Sequence, residues 1–297
     1  MLPSKETIAQ KGFTLVEILV VIAVIGLLSS IIFAITRGAD EQGRIAKGLY
    51  FSQHLQNSLG SYAAGIWNFD EGSGSTANDT SGWENNGTLV NSPTWRCAST
   101  DTSYTPSSQG CSLEFNGSNQ YVNAGNDASL NITSAITMEA WVKKPDYSRI
   151  TDAIIRKAGS YVLYFSNAGD GEPQGLQTYF WGLANPRLGY SYTNFINDRW
   201  YHVAGTYNGS VAKLYVNGVE VATENKTGSF TISDSNVAIG ASSDGQMYFS
   251  GLIDEARIYE TALTLSHVQS LYYAGLDKLL NEKQISEQEY QQYLAKN

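Results

Sequence analysis

The 297-residue chain is short of charge, histidine, cysteine and proline: charged side chains make up 16 % of it, and it holds three His, two Cys and six Pro. Sparse charge beside 19 Tyr, 10 Phe and 6 Trp excludes a disordered or coiled-coil chain, which lacks this much apolar surface to bury. Basic residues are the scarcer sign, 19 Lys and Arg against 28 Asp and Glu. That balance argues against nucleic-acid binding, because affinity for phosphate backbones comes mostly from Lys and Arg. The histidines (His54, His202 and His267) are scattered, with no Cys or Asp at catalytic spacing. No Gly-x-Ser-x-Gly elbow, phosphate loop or zinc spacing is present. A glycosidase needs two carboxylates flanking a cleft. The nearest candidates, Asp254 and Glu255, are adjacent in a strand pattern, where only one of the two faces a cleft. The chain reads as no enzyme, with no cofactor required.

What is present divides the chain in two. The first sixty residues hold five basic and four acidic side chains, so the remainder holds fourteen and twenty-four and carries the whole acidic excess. Ile18–Thr36 is nineteen residues without a charge, enough for a helix across a ~30 Å hydrocarbon core. Its β-branched residues favour strand in water, but in lipid only a helix satisfies its own backbone. The run is too long for the apolar core of a secretory signal, and no Ala-x-Ala site follows. Lys5 and Lys11 precede it and Arg37, Arg44 and Lys47 follow, so the positive-inside rule does not orient it. Apolar residues at 45, 49, 55 and 59 then keep helical spacing up to Gly60. From Phe13 to Leu59 such a rod is roughly 70 Å long.

The stretch Lys11-Gly-Phe-Thr-Leu-Val-Glu17, running into Ile-Leu-Val-Val-Ile-Ala-Val-Ile-Gly-Leu-Leu, resembles the prepilin signal of type IV pilins and type II secretion pseudopilins. The resemblance implies that a prepilin peptidase cuts after Gly12 and methylates the new N-terminus at Phe13. It also implies that the apolar helix is kept as the packing core of a filament. Glu17 is the residue that a plain anchor does not explain, since a carboxylate costs about 2.5–3.5 kcal/mol at the centre of a membrane helix and less toward its end. The family's answer is an assembly role, with Glu17 meeting the Phe13 amine of a neighbouring subunit; the bland one is a carboxylate snorkelling at the membrane edge. Pilins usually carry a proline inside this helix, and this chain has none there.

Past Gly60 the period changes. Trp200–Tyr207, Asn208-Gly209, Ser210–Val216, Asn217-Gly218 and Val219–Thr223 read as a three-stranded meander, since Asn-Gly between alternating runs is the strongest short hairpin signal. Further strands are expected at 112–116, 120–123, 136–143, 152–157, 161–166, 176–181, 236–240 and 252–259, a spacing typical of a sandwich or jelly roll. Ile66–Gly74, Asp79–Leu89, Leu113–Val122, Ile136–Val142, the meander and Phe249–Tyr259 together resemble the laminin G-like, concanavalin A-like family, in the family's order over about residues 62–273.

That resemblance raises three site questions. Relatives often hold a structural Ca²⁺, for which Asp79, Asn86 and Asp254 are the candidate oxygen donors; against this, Asp79 and Asn86 also suit Asx turns. Tyr179, Trp181, Tyr190 and Tyr192, beside Asn185, offer a stacking surface for a glycan, although alternate aromatics equally suit a sandwich core. Cys97 and Cys111, an even pair in a domain placed outside the membrane, read as one disulfide worth about 3 kcal/mol, with two buried thiols as the alternative. After Gly275, Leu276–Leu294 suggests a helical hairpin, its second helix opened by the capping box Ser286–Glu289.

The expected organisation is α+β: a leader (1–12), a membrane and stalk helix (13–60), a laminin G-like β-sandwich (61–273) and a C-terminal helical tail (274–297). The expected function is that of a non-enzymatic, minor pilin-like subunit. It sits in the inner membrane as a single-pass protein before assembly, joins other pilin subunits through its helix, and displays a glycan- or protein-binding domain at the cell surface. The alternatives are a pseudopilin of a secretion system and an anchored binding module that never polymerises.

Overall fold

The computed structural model describes residues 59–97, 110–148, 151–166, 174–281 and 285–294. The leader, the apolar run and the stalk, with Gly12, Phe13 and Glu17, lie outside the described residues. No helix among those described is long and apolar enough to cross a membrane.

Short runs punctuated by Gly, Asn and Asp fold as strands. In chain order they are Ala63–Trp67 (β1), Thr76–Ala77 (β2), Gly87–Val90 (β3), Thr94–Cys97 (β4), Cys111–Asn116 (β5), Tyr121–Gly125 (β6), Ile136–Lys143 (β7), Asp152–Lys157 (β8) and Tyr161–Ser166 (β9). Next come Gly175–Phe180 (β10), Leu183–Ala184 (β11), Arg187–Ser191 (β12), Trp200–Tyr207 (β13), Val211–Val216 (β14), Val219–Asn225 (β15), Thr227–Gly228 (β16), Val237–Ile239 (β17) and Ser250–Tyr259 (β18). Two helices follow, Leu265–Asn281 (α1) and Glu287–Leu294 (α2).

Sheet A runs β15-β14-β13-β7-β18-β5-β4, and sheet B runs β12-β10-β9-β8-β17-β6-β3-β2. Both are antiparallel, and one core fills the space between them, with Trp67, Phe115, Met138, Leu163, Phe180, Val203 and Ile258 among its members. The expected meander is β13-β14-β15. Its second turn is a two-residue loop with both Asn217 (φ 51°) and Gly218 (φ 76°) left-handed, the conformation that Asn-Gly favours. The first is one residue longer and is organised by Asn208, whose Oδ1 accepts from the Ser210 and Val211 N–H groups.

Strand β18 is the keel of sheet A. One edge pairs with β7 along its length, while the other is shared end to end: β5 takes Ser250–Ile253, and β1 takes Ala256–Tyr259. Between the two pairings the register shifts, and Glu255 adopts φ 52°. The bulge turns Asp254 and Glu255 onto one ammonium group, that of Lys278. This corrects the expectation from strict alternation that only one of the pair faces a common site, because a bulge breaks the period of two.

Strand β7 is buried on both faces. Ile136, Met138, Ala140 and Val142 enter the core between the sheets, while Thr137, Glu139 and Trp141 point the other way, and all seven are buried. The cover on that side is α1, which buries Val268, Leu271, Tyr272, Leu276 and Leu279 at helical spacing. Trp141, Trp200, Ile285, Tyr290 and Tyr293 complete this second core. Gly275 is not a break before the hairpin: α1 runs through it, so the 273/274 boundary falls inside a helix. A Cβ there would lie 1.9 Å from Trp141 Nε1, so glycine is what lets the helix backbone approach the indole. The capping box forms as expected, Glu289 N–H donating to Ser286 Oγ at 3.2 Å and Ser286 N–H to Glu289 Oε2 at 2.8 Å.

Candidate functional site

With sheet A covered by helices, the outward face of sheet B is the one that carries a part-exposed aromatic cluster among the described residues. Residues opposite each other in antiparallel strands share a face. One row crosses the whole sheet in register: Arg187, Tyr179, Val162, Arg156, Ala238, Asn123, Thr88 and Thr76. At one end, Tyr179 and Trp181 sit with ring centroids 4.5 Å apart. The Arg156 guanidinium lies 5.6 Å over Trp181, and that of Arg187 lies 5.8 Å over Tyr179. In the next row, Tyr164 donates to Gln177 Oε1 at 2.6 Å. Arg156 also touches Met247 Sδ and reaches the exposed Asp244 at 3.8 Å, and its Nε has no acceptor among the described residues. The result is a half-buried aromatic platform between two guanidinium groups.

The sequence-nominated aromatics separate here. Tyr179 and Trp181 meet on the outward face. Tyr190 stands opposite Leu176, packs against the core and touches Phe195 at 6.1 Å, so it belongs to the other side of the sheet. Tyr192 opens a 3-10 turn after β12. Asn185 is committed to Glu224. Arg156 and Arg187 were not nominated, because only the pairing register shows that they share a face with the aromatic pair.

Beneath α1 lies a buried charged layer. Glu139, fully buried, accepts from Arg257 at 2.8 Å and sits 2.9 Å from His202 Nε2. Burial pushes its carboxyl up, but the partners His202 and Arg257 outweigh that and hold it below the ordinary carboxylate range. Arg257 also pairs with Glu255. His202 is therefore part of this buried layer; His54 lies outside the described residues.

The calcium expectation meets a donor set that does not fit. Asp79 Oδ1 accepts from the N–H groups of Ile66 and Ser81, both at 2.8 Å, and Oδ2 from Ser81 Oγ at 2.8 Å and Asn85 N–H at 2.9 Å. Those four donors fill the carboxylate's lone-pair sites. Asn86 Oδ1 is likewise taken by the Asp79 N–H at 2.9 Å. Both residues organise their loop, as Asx turns do. Asp254 lies 3.4 Å from Lys278 Nζ, and burial pushes its carboxyl up to about 7. No group of three or more His, Cys, Asp or Glu is placed to hold a metal ion among the described residues. Cys97 and Cys111, opposite each other on β4 and β5, are joined as a disulfide.

Comparison with known proteins follows this architecture. Domain 4 of AbnA, a GH43 extracellular arabinanase from Geobacillus stearothermophilus solved with arabinotriose, is 21 % identical, with a TM-score of 0.53 over 71 % of this chain and 98 % of that domain. The binding domain of Paraclostridial Mosquitocidal Protein 1 gives 15 % identity and a TM-score of 0.52 over 74 % of this chain and 53 % of the other. The receptor-binding domain of botulinum neurotoxin mosaic serotype C/D gives 14 % and 0.51, over 73 % and 52 %. At these identities the likeness is one of fold, and the chain spans about half of the two toxin domains. No curated protein matches. Residues 8–33 match the prokaryotic N-terminal methylation motif. Residues 116–269, just over half of the sequence, match the family model of the sandwich, and the chain belongs to the concanavalin A-like lectin/glucanases superfamily.

Proposed function

We propose that this chain is a pilin-type subunit, cut by a prepilin peptidase after Gly12 and methylated at Phe13. Residues 18–36 hold it in the inner membrane and then pack into a filament as a minor subunit, with Glu17 pairing with a neighbour's Phe13 amine. The sandwich is its non-enzymatic binding head, displayed at the cell surface. The methylation motif supports the first part.

The observation that carries the second part is the division of labour between the sheets. One is sealed by α1 and α2, and the other carries the half-buried Tyr179–Trp181 pair on its outward face. Aromatic faces suit the C–H face of a sugar ring, with a few polar groups fixing its orientation. Arg156 and Arg187 favour a sugar that carries a carboxylate, since guanidinium matches it with paired donors.

Mass spectrometry of the membrane-extracted protein tests processing: methyl-Phe13 is expected, and a retained Met1 rules out the pilin reading. Binding is tested with the full chain on immobilised arabinotriose and oligogalacturonate. We expect oligogalacturonate to be retained more strongly, and Trp181→Ala to weaken retention about tenfold, the loss of roughly 1.4 kcal/mol. Equal retention of wild type and Trp181→Ala on both sugars removes this face from glycan binding.

A further inference from the structure

The ammonium of Lys278, brought in by α1, lies 3.1 Å from Asp70 Oδ1, 3.4 Å from Asp254 Oδ1, 2.5 Å from Glu255 Oε1 and 3.2 Å from the Asn68 carbonyl oxygen. This is the junction where β1 and β5 abut on β18. Asn68 and Asp70 follow β1, Gly110 just before β5 donates its N–H to Asp70 Oδ1 at 3.4 Å, and Asp254 and Glu255 form the bulge between the two pairings. Asp254 is 1 % exposed, and its Oδ2 has no partner among the described residues.

Carboxylates and a backbone carbonyl are the donor types of a hard divalent cation, but with Lys278 among them these are not placed to hold one. Asp254 and Glu255 are buried, and Asp70 is half-buried. Of the three only Glu255 has a second cationic partner among the described residues, Arg257, so a buried Asp254 carboxylate without Lys278 would lack a paired cation. Here a positive charge is already in place, covalently part of the chain, and its stem comes from the helix that seals sheet A. We propose that the Lys278 ammonium is the resident cation of this strand junction, so the sandwich closes without a divalent ion, and that removing the side chain opens the position to calcium. The C-terminal hairpin then supplies what a metal ion would otherwise supply: charge neutralisation where two strands meet end to end. This inference is independent of the glycan reading.

The test is thermal unfolding of the detergent-solubilised full chain at pH 8, with EGTA or with millimolar CaCl2. Wild type is expected to unfold at the same temperature in both. Lys278→Ala should unfold roughly 5–10 °C lower in EGTA and regain several degrees in calcium. Lys278→Met keeps most of the packed stem and loses only the charge; its Tm should fall as well. Calcium stabilising the wild type overturns the proposal, and so does a Lys278→Ala variant indifferent to calcium. Should the alanine variant not accumulate, Lys278→Met decides alone: a Tm equal to that of wild type overturns the proposal, and a lower one supports it.

Discussion

Glu139 shows how one side chain ties three strands of sheet A together beneath its helical cover. It leaves β7 on the face away from the main core, and two partners meet it there, the Arg257 guanidinium from β18 and the His202 ring from β13. Its carboxyl is held below its ordinary value in the folded state, so its contribution is present at neutral pH and lost as pH falls through the folded value. Glu139→Gln should therefore cost about 3–5 kcal/mol at pH 7, because the buried Arg257 guanidinium loses its counter-charge. Urea unfolding at pH 7 and again below about pH 4 checks the sign: the gap between variant and wild type should narrow in acid. A constant gap across pH would mean that shape, and not charge, is what Glu139 contributes. The residue was hard to read in the sequence. In Ile136–Lys143 it sits at an alternate position that a two-layer sandwich leaves to solvent, and only the third layer buries it.

At the level of elements, α1 is where sequence rules and packing part company. Ala is the better helix former by about 1 kcal/mol, so Gly275→Ala in an exposed helix would stabilise. Here the added methyl meets the Trp141 indole at 1.9 Å, and the expected sign reverses. We expect a loss of about 1–3 kcal/mol, the usual range for overpacking, whereas Gly60→Ala, with nothing within 4 Å of its Cβ, serves as the neutral control. Parallel denaturant melts decide it, and a stabilised Gly275→Ala would show that α1 sits farther from the sheet. Elements with strong local signals were legible: the Asn-Gly meander, the short apolar runs of β5 to β10 set off by turn residues, and the capping box of α2. The rest was written in partners. β1 (Ala-Ala-Gly-Ile-Trp) has no alternation because both its faces are buried, and it pairs with a strand near the far end of the chain. The outward face of sheet B needs the register of four strands, β12, β10, β9 and β8, before Arg187, Tyr179 and Arg156 fall into one row.

Taken as a whole molecule, the domain is closed by its last residues. α2 contributes Tyr290 and Tyr293, and Tyr293 donates to the Trp200 carbonyl at 2.8 Å. A full chain shortened to end at residue 284 should keep its strands yet lose the lid over Trp141 and Trp200. We expect faster proteolysis and binding of a hydrophobic dye, and protection equal to wild type would make α2 dispensable. The end-to-end seating of β1 and β5 on β18 carries a consequence in time. The first strand of the sandwich waits for the last, because Ala63–Trp67 finds its partners only at Ala256–Tyr259. A chain that emerges amino end first, from a ribosome or through a membrane, therefore carries β1 unpaired and its Trp67 uncovered while nearly two hundred further residues follow. Long-range pairings of this kind form slowly, and exposed strand edges invite association with other copies. Folding is thus timed by the arrival of the carboxyl end, and a copy stalled short of it is the one most in need of a chaperone.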